Sequence, residues 1–142
     1  MYFYMPTKVY SETNAVANHA SELAALGSRA LIVTGRHSSR ANGSLFDVQN
    51  ALEGEGIPYE VFDRIEENPS VENVMEARKA GIKSGADFVI GIGGGSPMDA
   101  AKAVAMLLRQ REAGEECLYE KGDDSALPVA EVPTTCGTGS EA

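Results

Sequence analysis

Three consecutive glycines, Gly93, Gly94 and Gly95, stand between an apolar run from Asp87 to Ile92 and a segment of helical periodicity that starts at Pro97 and reaches about Arg109. An apolar run without alternation fits a strand covered on both faces, and such strands belong to parallel sheets. A glycine turn leading from that strand into a helix is then one step in a strand-helix-strand series. The rest of the chain keeps the same alternation. Ala30 to Thr34 is a second short apolar run, ending at Gly35; Tyr59 to Asp63 reads as the next strand, and Leu127 to Val132 as the last, closed by Pro133.

The intervening segments carry helical spacing. Asn14 to Leu26 places Val16, Ala20, Leu23 and Ala24 on one side and predicts one helix ended by Gly27. Ser44, with Asp47 three residues on, predicts a capped helix with the stripe Leu45, Val48, Ala51 and Leu52. Ser70 predicts a second cap, with Val71, Val74, Met75, Arg78 and Ile82 following. Tyr2 to Tyr4 and Lys8 to Tyr10 predict two short extended segments around a turn. The expected fold class is α/β, a Rossmann-like parallel sheet with helices on both faces and right-handed crossovers. Ligands in such sheets bind at the carboxyl ends of strands. That rule selects the loops after Thr34, Ile92 and Val132 before any motif is weighed.

The glycine loop itself suits a diphosphate. Bare backbone at Gly93, Gly94 and Gly95 admits a bulky anion, and glycine tolerates positive φ. Ser96 is placed to cap the helix, and Pro97 stands where a missing amide proton costs little. Free amides and the helix dipole then favour negative charge. The segment is neither GxGxxG nor a P-loop, since Ser96 replaces the third glycine and no Gly-Lys-Ser/Thr follows. A tight turn without ligand is the plain alternative. Asp99 reads equally as a ligand contact and as a partner of the Ser96 cap.

The second segment, Pro133 to Ser140, places Thr134, Thr135, Thr138 and Ser140 among glycines directly after a strand. Hydroxyls there can donate to phosphate, ribose or carboxamide oxygens; a polar surface loop is the alternative. The third, Gly35 to Arg40, lacks the acid that commonly grips ribose hydroxyls at a comparable strand end. Gly35, Arg36, Ser38, Ser39 and Arg40 stand there instead, and this favours NADP, with NAD as the alternative. His19 and His37 have no neighbours at metal-ligand spacing, and His19 is expected as an exposed helix residue. Cys136 has no histidine nearby to activate it, and it reads as a small packing residue.

Composition limits the partners. A net charge of -9 with scattered basic residues argues against nucleic acid. Two cysteines without CxxC spacing argue against a disulfide scaffold or structural zinc. No apolar run approaches membrane length, so a cytoplasmic protein without membrane contact is expected.

Gly93 to Lys102 and Pro133 to Glu141 resemble the two signature segments of the iron-containing (group III) alcohol dehydrogenases. Glu67-Asn68-Pro69 before a helix resembles the third cofactor contact of that family, and it adds Asn68 to the binding residues. The resemblance covers essentially the whole chain; Cys136 departs from it, since the family usually has alanine there. It implies the N-terminal nucleotide-binding domain of the dehydroquinate synthase-like superfamily, followed by a helical domain with Fe²⁺ between the two. The iron is held by one aspartate and three histidines, and it acts as Lewis acid while hydride passes between nicotinamide and a small alcohol or carbonyl compound. On that basis residues 1–142 are expected to be the dinucleotide-binding domain alone, cut off inside its last binding loop. The C-terminal metal-binding domain is expected to be missing, with no catalytic or metal-binding residue in this chain and no activity of its own. Exposure of the interdomain face would favour weak self-association, so a homo-oligomer is compatible with the sequence. Two other classes remain: a glycerol dehydrogenase or dehydroquinate synthase-like enzyme, and a nucleotide-binding module without catalysis.

Overall fold

The computed structural model describes residues 2–5, 8–11, 15–36, 43–109 and 127–133. In chain order the elements are β1 (Tyr2–Met5), β2 (Lys8–Ser11), α1 (Ala15–Asn18), α2 (Ala20–Ala24), β3 (Ala30–Thr34), α3 (Ser44–Gly54), β4 (Tyr59–Phe62), α4 (Val71–Ser84), β5 (Phe88–Gly93), α5 (Gly95–Arg109) and β6 (Val129–Pro133). They build one six-stranded sheet in the order β2-β1-β6-β5-β3-β4. The four strands expected from the strand-helix alternation are parallel, with Ala30 beside Tyr59 and Phe88, and Val89 beside Val129. The N-terminal segments form an antiparallel hairpin that extends the sheet past β6, with Tyr4 opposite Glu131.

Burial explains the continuous apolar runs. Every residue of β3 and β5 is buried, so both faces of each strand need apolar side chains. One face gathers Ile32, Phe88, Ile90, Ile92 and Val132 against Val16, Leu23, Leu45, Val48 and Leu52 from α1 to α3. The other gathers Leu31, Val33 and Val89 against Val74 and Ala77 of α4 and Ala101, Val104, Ala105, Leu107 and Leu108 of α5. Thus the helix after β3 covers one face and the helix after β5 covers the opposite one. Adjacent strands whose connections leave to opposite faces open a crevice at their carboxyl ends.

Several local expectations are corrected. The expected single helix over Asn14–Leu26 is two short ones. The break is at His19, whose φ of -118° and ψ of 28° leave the helical region. The His19 carbonyl accepts from both Glu22 N and Leu23 N, and its Nδ1 pairs with Glu22 Oε1 at 2.8 Å. His19 is therefore a half-buried residue at a helix start, not an exposed one within a helix. Ser44 is the first residue of α3, not its cap. Gly43, at φ 82°, holds the cap position and its carbonyl accepts from Asp47 N at 2.9 Å.

Ser70 does cap α4, accepting from Asn73 N at 3.1 Å. The buried face of α4 is Asn73, Val74, Ala77 and Gly81, while Ile82 is 38% exposed. The face is chosen by its small residues. A Cβ at Gly81 would lie 2.8 Å from Leu108 Cδ1, so glycine lets α4 and α5 approach closely. No helix among the described residues is long and apolar enough to cross a membrane.

Candidate dinucleotide site

The registers Thr34 to Ile92 and Gly93 to Pro133 bring the ends of β3, β5 and β6 to one edge of the sheet. A hydrogen bond fixes this edge: the buried Thr34 hydroxyl donates to the Ile92 carbonyl at 2.7 Å. Gly35 follows immediately, half-buried, with Arg36 exposed beside it. The structure thus places Gly35 and Arg36 at the same edge as the glycine loop. Ser38 and Ser39 lie outside the described residues, as do Thr134, Thr135, Cys136, Thr138 and Ser140; the strand leading into the latter group ends at Pro133 beside Gly93.

The glycine loop is built differently from the sequence reading. Helix α5 begins at Gly95, two residues before Pro97. The Gly94 carbonyl accepts from Met98 N at 3.4 Å, so Ser96 sits inside the first turn and is not the cap. Its hydroxyl donates to the Glu67 carbonyl, so of the two readings of Asp99 the capping partnership with Ser96 gives way to that link. Asp99 is exposed on the same first turn. Gly93 is buried at φ 143°, and a Cβ there would lie 2.8 Å from Pro97 Cγ. A Cβ at Gly91 would lie 2.7 Å from Ala101 Cβ and 3.3 Å from the Pro97 carbonyl. These two glycines let α5 descend onto β5. The open backbone is that of Gly94, half-buried, and of the first turn, whose leading amides lack intrahelical acceptors.

The β4–α4 segment reaches the same place. Ile65 N donates to the Thr34 carbonyl at 3.1 Å, and the Glu67 carbonyl meets Ser96. Asn68, exposed, therefore stands beside the glycine turn. Under the first turns of α5 lies Glu131, in register with Gly91 and only 2% exposed. Its Oε1 is 3.8 Å from Lys102 Nζ, and its Oε2 has no hydrogen-bond partner among the described residues. Burial pushes the Glu131 carboxyl above its ordinary range; the Lys102 ammonium opposes this and Asp99 adds to it. Among the described residues, no three His, Cys, Asp or Glu side chains are grouped so as to hold a metal ion.

The sequence model of the iron-containing alcohol dehydrogenases matches residues 6–142. This chain belongs to that family. A crystal structure of an iron-containing alcohol dehydrogenase from Thermotoga maritima superposes with a TM-score of 0.85 at 48% identity, covering 96% of this chain and 38% of that one. A long-chain primary alcohol dehydrogenase of Thermoanaerobacter ethanolicus is 42% identical over 113 residues, 78% of this chain and 28% of its own length. A choline dehydrogenase of Bacillus subtilis is 34% identical over 146 residues, 98% of this chain and 36% of its own. The chain therefore spans about a third of the length of the iron-containing alcohol dehydrogenases it matches. Its fold is the α/β fold of those structures.

Thr34, Asn73, Lys102 and Glu131 were not singled out in the sequence. Glu131 carried a signal, as one carboxylate inside an otherwise apolar strand. Thr34 read as one more β-branched strand residue, and the role of Asn73 depends on a loop whose path sequence periodicity does not trace.

Proposed function

We propose that residues 1–142 form the dinucleotide-binding domain of an NAD(P)-dependent alcohol dehydrogenase. One observation carries this reading: the glycine turn at Gly94, the Gly35-Arg36 strand end and the Asn68 segment come together at the carboxyl edge of the sheet, at the switch between β3 and β5. A diphosphate there meets bare backbone at Gly94 and Gly95, the amides of the first turn of α5 and its positive dipole end. Ser96, already donating to Glu67, anchors the turn in place. Thr134, Thr135, Thr138 and Ser140 follow the strand that ends beside Gly93 and complete the contact set on this reading. Gly35 leaves room for a 2′-phosphate that Arg36, Ser38 and Ser39 can hold, so NADP is preferred to NAD.

The dinucleotide supplies hydride chemistry when bound, exchanging hydride with the carbon of a small alcohol or carbonyl compound. The residues of this chain bind and orient it. The described residues do not form a cluster that fits iron, so no step here is assigned to a metal. The relatives are matched over about a third of their length, and on this reading the substrate pocket and the Fe²⁺ site lie in the part of them that is not matched, so that the 142 residues bind cofactor without turning over alcohol. Cytoplasmic residence is part of the same proposal.

Calorimetric titration of the chain with NADP and NAD tests the site. The unmodified chain binds, and Gly94→Val, which folds, loses at least about tenfold in affinity because its side chain occupies the path of the phosphate. Equal affinity in a folded Gly94→Val chain would overturn the placement. An assay with small alcohols and aldehydes, with Fe²⁺ supplied anaerobically, tests the remainder; metal-dependent turnover by this chain would contradict it.

A further inference from the structure

Asn73 is 5% exposed on the first turn of α4, and its side chain points back at the segment that precedes the helix. Its Oδ1 accepts from Glu66 N at 2.9 Å, and its Nδ2 donates to the Arg64 carbonyl at 3.0 Å. Its own backbone N donates to Ser70 Oγ at 3.1 Å. The two side-chain bonds grip the backbone on either side of Ile65, which is buried and donates to the Thr34 carbonyl. One residue beyond this clamp, the Glu67 carbonyl receives the Ser96 hydroxyl, and Asn68 follows. A continuous set of bonds therefore runs from α4, through the Arg64–Glu67 backbone, to the first turn of α5.

The chemistry requires an amide. Only Asn or Gln presents one acceptor and two donors on a flat group, and only Asn is short enough to serve both backbone atoms from this position. An aspartate would set a second acceptor against the Arg64 carbonyl. An apolar residue would leave a backbone donor and a backbone acceptor unpaired in a half-buried place.

We infer that Asn73 is a positioning residue for the dinucleotide crevice, holding the Arg64–Asn68 segment so that Glu67 meets Ser96 and Asn68 stands at the glycine turn. It touches no ligand. The inference rests on the proposed reading of the crevice and adds to it a residue that acts on binding through Ser96.

The test is a double-mutant cycle on the 142-residue chain, titrated calorimetrically with NADP and with NAD, and with circular dichroism as a check of folding. Asn73→Ala weakens binding by about five- to tenfold, the scale of one lost hydrogen bond. In that background Ser96→Ala adds much less loss than it causes alone, because the Ser96 link is already misplaced. Independent, multiplying losses would show Asn73 to be a general packing residue and overturn the inference. Asn73→Asp, nearly isosteric, is the second variant should Asn73→Ala not fold, and it also binds more weakly. Glu72→Gln, exposed on the same turn, leaves affinity unchanged. Hydrogen exchange gives a reading without cofactor: the Glu66 amide exchanges faster in Asn73→Ala while the β5 amides do not. Failure of the unmodified chain to bind either dinucleotide overturns the crevice and this inference together; full binding by folded Asn73→Ala and Asn73→Asp overturns this inference alone.

Discussion

The Thr34 hydroxyl spans from the last residue of β3 to the Ile92 carbonyl near the end of β5, at 2.7 Å, inside the wall of the proposed crevice. Thr34 is 1% exposed, so water does not take the place of its hydroxyl. Thr34→Val keeps the shape and removes the donor. The expected loss of stability is about 1–3 kcal/mol, the penalty for leaving one buried polar group unmet. Urea unfolding measures it. A change below about 0.5 kcal/mol would show that the carbonyl is satisfied in another way.

Gly91 sits where β5 passes beneath α5, and a Cβ there would meet Ala101 Cβ at 2.7 Å and the Pro97 carbonyl at 3.3 Å. Neither neighbour is the end of a flexible side chain. Gly91→Ala must lift the first turns of α5, with an overpacking cost of about 1–3 kcal/mol. Because the same turns carry the proposed diphosphate contact, affinity for dinucleotide falls as well. A combined Gly91→Ala, Ala101→Gly chain regains part of both. Absence of any rescue in thermal unfolding and calorimetry would place the strain elsewhere.

Asp87 links the starts of β3 and β5. Its carboxylate accepts from Ser28 N, Arg29 N and Ser28 Oγ at 2.7–3.0 Å. Desolvation pushes its carboxyl up, but the hydrogen bonds from Arg29 and Ser28 outweigh this, and the group lies below its ordinary range. A lowered folded value stabilises the chain above the unfolded pKa and withdraws that stability as pH falls through the folded one. Asp87→Ala therefore costs about 1–2 kcal/mol at pH 7, the low end for bonds to a charged group at a partly wet site. The difference from the unmodified chain shrinks below the ordinary value of 3.8. Chemical unfolding at several pH values checks the slope.

The two central parallel strands were legible because burial on both faces writes unbroken apolar runs, at Ala30–Thr34 and Phe88–Gly93; the edge strand β4, with Glu60 exposed, was read from its β-branched and aromatic residues between turns. The shared edge at the ends of β3, β5 and β6 followed from their alternation with helices. Helix starts were not legible to the residue: whether Gly43 or Ser44 caps α3, and whether α5 begins at Gly95 or Pro97, depends on backbone dihedrals that several residue types accept. The buried face of α4 was not legible either. A face that packs through Ala77 and Gly81 shows little hydrophobicity, while Ile82 advertises a face that is exposed. The burial of Asn73 was not legible because its partners, Arg64 and Glu66, use backbone atoms that sequence does not display.

Glu131 titrates in the opposite sense to Asp87. Burial raises its folded value above the ordinary 4.5, Lys102 lowers it and Asp99 raises it. A raised folded value means that stability is fully present below the unfolded pKa and is lost as pH climbs through the folded one. Glu131→Gln removes the charge and keeps the shape. The variant and the unmodified chain should have equal stability near pH 4, and the variant should gain with rising pH until the native carboxyl is ionised. Comparing the two chains at each pH cancels the other groups. A difference that does not vary with pH would mean that Glu131 ionises normally despite its burial.

On the proposed function, cofactor choice turns on the end of β3. A Cβ at Gly35 would lie 3.4 Å from the Ile65 carbonyl, an ordinary contact, so an aspartate can be placed there without moving the backbone. In the native chain the position offers no charge, and Arg36 is exposed next to it. A 2′-phosphate can take charge-assisted hydrogen bonds from that loop, each on the order of 1.5–3 kcal/mol. NADP should then bind roughly ten- to a hundredfold more tightly than NAD. Gly35→Asp reverses the order, since a carboxylate repels the phosphate and accepts from free ribose hydroxyls. Arg36→Ala lowers affinity for NADP and leaves NAD unchanged, and the NADP preference of the unmodified chain weakens as salt is added. Paired calorimetric titrations of the three chains decide the matter: equal affinity of the unmodified chain for both dinucleotides would remove the 2′-phosphate from this loop.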